Sequence, residues 1–91
     1  MKSEAIISCK EIYIKGIATH NKAQSILYNL REYIEEKNRV INISFEGSPG
    51  PFGEGICIKI TISGKHLDRT DIKAIAKFFK IIGVKVTVLE D

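Results

Sequence analysis

From residue 56 to residue 63 isoleucine holds every second position. Ile56, Ile58, Ile60 and Ile62 alternate with Cys57, Lys59, Thr61 and Ser63. In an extended chain successive side chains point to opposite faces, so this register makes one oily face and one polar face. A helix would scatter the same isoleucines around its axis. The stretch is therefore a half-buried strand, and the rest of the chain must cover its isoleucine side.

Three further segments read as strands. Ile12-Tyr13-Ile14-Lys15 sends Ile12 and Ile14 one way and Tyr13 and Lys15 the other. Val40 to Glu46 puts Ile41, Ile43 and Phe45 on one face, and Val84 to Leu89 puts Val84, Val86 and Val88 inward. Ala5-Ile6-Ile7 either extends the Ile12 strand or forms a short strand of its own. The alternation breaks near Lys10-Glu11, which places a bulge or turn there.

Two segments carry helical spacing. Ile26, Leu27, Leu30, Tyr33 and Ile34 form an apolar stripe behind Asn21, a cap with Gln24 as its capping-box partner. Asn38 is the expected stop. Ile72, Ile75, Ala76, Phe79 and Ile82 form the second stripe, opening near Asp68 or Thr70 and ending at Gly83. Strand, helix, strand, strand, helix, strand is the order βαββαβ. One-sided strands and one-striped helices then predict an α+β domain spanning residues 1–91, with a ferredoxin-like antiparallel sheet and two helices on one face. In that plan the first and third strands are central, the second and last are at the edges, and the other sheet face is open.

The size and composition fit one small core. The chain has 91 residues, 44% hydrophobic and 27% charged, with a formal net charge of +3. No apolar run is long enough for a membrane span, and the N-terminus lacks a signal-peptide pattern, so no membrane association and a cytoplasmic location are expected. Cys9 and Cys57 lie far apart without a CxxC motif and read as reduced strand residues. Mild basicity permits an anionic partner without demanding one.

GSPGPFGEG, residues 47–55, joins the second and third strands. It holds four of the seven glycines and both prolines. A phosphate cradle would open a helix and carry a lysine; this loop opens a strand, and its one charge is Glu54. Phe52 either folds over the sheet end or makes a loop contact with a partner.

The open face is the candidate site. It presents Tyr13, Lys15, Lys59 and Lys85 among Asn42, Ser44, Cys57, Thr61 and Thr87. One aromatic among lysines can hold single-stranded nucleic acid, with a base stacked on the ring and phosphates on the cations. The stretch Ile12-Tyr13-Ile14-Lys15-Gly16-Ile17 resembles the six-residue first-strand signature of RNA-recognition-motif domains. That resemblance implies a stacking role for Tyr13. The third strand departs from the family, with Cys57 and Lys59 where its octapeptide carries aromatics, so the family is not assigned. The same face could instead be buried in a homodimer or another protein contact, or serve a small-ligand regulatory domain. Lys73, Lys77 and Lys80 make a second basic stripe, on the outer side of the second helix.

A catalytic grouping does not emerge. His20 and His66 flank the helix starts with no patterned carboxylate to orient them, and with the cysteines they give no metal spacing. The Gly16–Asn21 connection lacks the arginine that acylphosphatases of this plan use there. The expectation is a small non-enzymatic binding module without a cofactor or metal, its partner being single-stranded nucleic acid or a second protein surface.

Overall fold

A computed structural model describes residues 3–48 and 55–89. Seven elements follow in order: β1 (Glu4–Ile7), β2 (Glu11–Ile17), α1 (His20–Ile34), β3 (Arg39–Ser48), β4 (Gly55–Gly64), α2 (Arg69–Ile81) and β5 (Lys85–Val88). They make an α+β fold with one five-stranded sheet in the order β3-β4-β2-β1-β5.

The sheet is mixed, which corrects the expected all-antiparallel arrangement. Ala5-Ile6-Ile7 belongs to a strand of its own, β1, which folds back on β2 through a tight turn. The Ser8 N–H donates to the Glu11 carbonyl at 2.8 Å, and the Ser8 hydroxyl accepts from the Glu11 N–H at 3.1 Å. β1 then lies between β2 and β5 and pairs with β5 in parallel, with Ala5 opposite Val86 and Ile7 opposite Val88. The expected central pair, β2 and β4, is adjacent, and β3 and β5 are the edges as expected. What the short run at residues 5–7 could not show was that it would separate the last strand from β2.

The irregularity expected near Lys10-Glu11 is this turn. A bulge occurs further on, where the β2–β4 register shifts between Ile14 and Ile17. Gly16 takes the extra position at φ 76°, a left-handed conformation that glycine adopts without strain. The added residue returns Ile17 to the buried face with Ile12 and Ile14.

Both helices cover the isoleucine face. Ala23, Ile26, Leu30 and Ile34 of α1 and Ile75 and Phe79 of α2 join Ala5, Ile7, Ile12, Ile14, Ile17 and the four β4 isoleucines in one core. α1 lies over β2 and β4, and α2 over β1 and β5. Tyr33 of the expected stripe is at the rim, its ring 5.7 Å from that of Phe78. Val88 and Ile82 are likewise surface residues, not buried ones.

The caps differ in one case. α1 is capped by Thr19, whose hydroxyl accepts from the Lys22 N–H at 3.1 Å, and Asn21 is already inside the helix. Thr19 has the extended backbone that a cap requires, and it sits two residues before the expected cap. α1 ends at Ile34, and Asn38 belongs to the next turn with φ 75°. α2 carries a full capping box. The Asp68 carboxylate accepts from the Asp71 N–H at 2.8 Å, and the Asp71 carboxylate accepts from the Asp68 N–H at 3.2 Å.

Candidate sheet-face interface

Cross-strand registers set out the open face. One row runs Ser44–Lys59–Tyr13–Ile6–Thr87 from edge to edge. Tyr13 therefore sits at the middle of the sheet, directly between Lys59 of β4 and Ile6 of β1. On one side of this row Asn42, Thr61 and Glu11 align; on the other lie Glu46, Cys57, Lys15, Glu4 and Lys85.

The expected site residues are thus brought to one face, but not as one cationic cluster. The Lys15 ammonium is 3.7 Å from the Glu4 carboxylate. Lys85 is opposite the same Glu4, across the parallel β1–β5 pair. Because β1 intervenes, Lys85 is two strands from β2, about 10 Å across the sheet. Lys59 keeps its place beside Tyr13. Phe52 lies outside the described residues.

Charges on this face balance. Lys15, Lys59 and Lys85 stand among Glu4, Glu11 and Glu46. These three carboxylates are not among the expected site residues. Glu11 and Glu46 fall on the open face by simple alternation, whereas Glu4 enters only because β1 is inserted.

Tyr13 is half-buried. Hydrogen bonding to the Cys57 side chain, one step along β4, holds its phenol above the ordinary tyrosine range; the charge Cys57 carries when ionised, desolvation and the Glu46 carboxylate act in the same direction. The ring borders a hollow of about 150 Å³ lined by Ile6, Ser8, Glu11, Tyr13 and Leu89. That is well under the few hundred Å³ of a typical small-ligand site and suits one inserted side chain.

Elsewhere, a cleft of about 700 Å³ runs between α2 and the end of β5. Leu67, Ile72, Ala76, Val88 and Leu89 line it with Cys9, and Arg69 and Lys73 stand at its rim. No carboxylate or imidazole is among these lining residues. Lys73, Lys77 and Lys80 are exposed on α2, on the helix side of the sheet and away from Tyr13.

Among the described residues no group of three or more His, Cys, Asp or Glu side chains is placed to hold a metal ion. No described helix is long and apolar enough to cross a membrane. No protein-family model matches the chain, and no curated protein matches it.

Proposed function

We propose that this chain is a non-enzymatic binding module whose open sheet face meets another protein surface. The ferredoxin-like plan, widened by one strand, is the frame for that reading. The observation that carries it is the charge balance around Tyr13: three carboxylates share the face with three lysines, and Glu4 engages Lys15 and borders Lys85. A polyanion gains affinity when protein cations displace its condensed counterions into solvent, and here three carboxylates oppose the three lysines that would do so. A protein surface is matched instead by mixed charges around an aromatic and a one-residue hollow.

Single-stranded nucleic acid is the second reading, favoured by one feature: Lys59 lies directly beside the Tyr13 ring. An amide NMR titration with a mixed oligonucleotide pool at low salt separates the two. The protein-partner reading expects no salt-sensitive shifts at Tyr13, Lys15 and Lys59. Saturable shifts there that fade with added salt overturn it.

A further inference from the structure

The two edges of the sheet are built differently. β5 is four residues long and begins with Lys85. β3 runs ten residues, Arg39–Ser48, in unbroken register with β4, and contains neither proline nor lysine. Charges, prolines, bulges and shortness are the usual means of stopping an edge from pairing with another chain. β5 has two of them. Between Val40 and Ser48 β3 has one charge, Glu46.

The main-chain polarity of β3 follows from two hydrogen bonds elsewhere. The Ile62 N–H donates to the Lys10 carbonyl of the β2 side at 2.8 Å. Main-chain groups along a strand alternate in direction, so Thr61 and Ser63 bond toward β3. The Lys65 N–H donates to the Asn38 carbonyl at 3.0 Å and continues that series. The registers then assign Val40, Asn42, Ser44 and Glu46 to the β4 ladder. Ile41, Ile43 and Phe45 are left with N–H and C=O groups directed outward.

The same three residues put apolar side chains on the helix side, at an edge that lies outside the strands the two helices pack over. Phe45 is 48% exposed, and Ile41 and Ile43 are only half-buried. α1 turns Tyr33 toward Phe78 of α2 and therefore directs Leu27, on the other flank of its buried stripe, to the β3 side.

We infer that β3 pairs antiparallel with β3 of a second copy of this chain, about a twofold axis at Ile43, to form one continuous sheet across two molecules. A twofold that relates antiparallel edges stands normal to the sheet, so odd positions meet odd positions and both pairs of helices fall on the same side. Ile43 meets Ile43, and Ile41 meets Phe45 twice. These are the residues with outward main-chain groups, so the joint closes with roughly six N–H···O bonds, two for each pair. The six apolar side chains form a strip flanked on each side by Leu27 of an α1 helix. Glu46 faces Val40 of the second copy, so no like charges are opposed. This self-complementarity is what selects a second copy as the occupant. The inference concerns a surface other than the Tyr13 face and does not rest on it.

Sedimentation velocity over a concentration series, joined to residue-resolved amide hydrogen exchange, tests the pairing. The wild-type chain is expected to double in mass as concentration rises, with the amides of Ile41, Ile43 and Phe45 becoming protected in step. Ile43→Lys places two ammonium groups on the axis and weakens dimerisation by roughly tenfold or more. Ile43→Pro removes an outward N–H without touching the β4 ladder and does the same. A wild-type chain that stays monomeric with fast exchange at all three amides overturns the inference, and so does a dimer that survives both Ile43 substitutions. The exchange data decide the matter even if a variant does not fold.

Discussion

The Arg39 guanidinium lies 3.3 Å from the Asp71 carboxylate, and so joins the first residue of β3 to the first turn of α2. The side chain is only 1% exposed. It also lies 3.3 Å from the Glu36 carboxylate and donates to the carbonyls of Ile34 at 2.7 Å, Lys65 at 2.7 Å and His66 at 3.1 Å. Five acceptors gathered on one planar fork fix the end of α1, the start of β3 and the β4–α2 connection in one place. Replacement by methionine keeps much of the volume and leaves three carbonyls without their donor. The expected loss is about 2–4 kcal/mol, read by urea denaturation. Arg39→Lys does not restore it, because an ammonium cannot reach all five acceptors; full recovery by lysine would contradict this account.

Thr19 and Asn21 offer a direct comparison. Thr19→Ala removes the cap of α1 and should cost about 1 kcal/mol. Asn21→Ala replaces an exposed residue within the first turn by a better helix former and should be neutral or slightly stabilising. The two midpoints in a denaturant series rank the caps, and equal losses would refute the Thr19 assignment.

Gly64 has φ +78°, and a Cβ there would sit 2.4 Å from the Asn38 carbonyl oxygen. Neither the backbone angle nor the contact admits alanine without movement of the strand ends. Gly64→Ala should therefore destabilise the chain by at least about 1–2 kcal/mol. An alanine variant with the wild-type thermal midpoint would show that the β3–β4 ends are placed otherwise.

The phenol of Tyr13 titrates above its unfolded value, because Cys57 and the surrounding burial favour the protonated form. The folded state thus holds its proton more tightly. Its contribution is fully present below the unfolded value near 10.0 and is lost as pH rises from there through the folded value. Tyr13→Phe should flatten that alkaline decline in stability. An alkaline limb of the same slope in both proteins would remove the assigned cause.

Glu4→Gln removes the ion-pair partner of Lys15 and the acidic neighbour of Lys85, and gives the open face a net positive charge. If that face can hold single strands at all, the variant should bind an oligonucleotide several-fold more tightly at low salt, with a steeper salt dependence. Fluorescence anisotropy at two salt concentrations reads both effects. A variant that binds no better than wild type would show that Glu4 does not mask the lysines of this face.

Much of this arrangement is legible in the sequence because its period is simple. The isoleucines of β4 and the alternation in β2 and β3 place Tyr13, Lys15 and Lys59 on one face, and the registers agree. Two things are not legible. Four residues, Glu4–Ile7, are too few for periodicity to say which neighbour they pair with, and that choice moves Lys85 away from Tyr13 and brings Glu4 beside Lys15. Arg39 shows no local signal either. It stands at the head of a strand where an exposed cation is the ordinary expectation, and its acceptors come from segments as far as 32 positions along the chain.

The parallel pairing of β1 with β5 has a further consequence, in the order of assembly. The β1–β2 hairpin and β4 can associate as soon as residue 64 exists, but β1 then presents a bare inner edge that only residues 85–88 can close. During synthesis this edge waits through the whole of α2. Contacts between such distant segments form slowly, and an unpaired edge is the part of a nascent chain most exposed to mispairing. The strand that follows α2 is thus the one that closes the inner edge of β1.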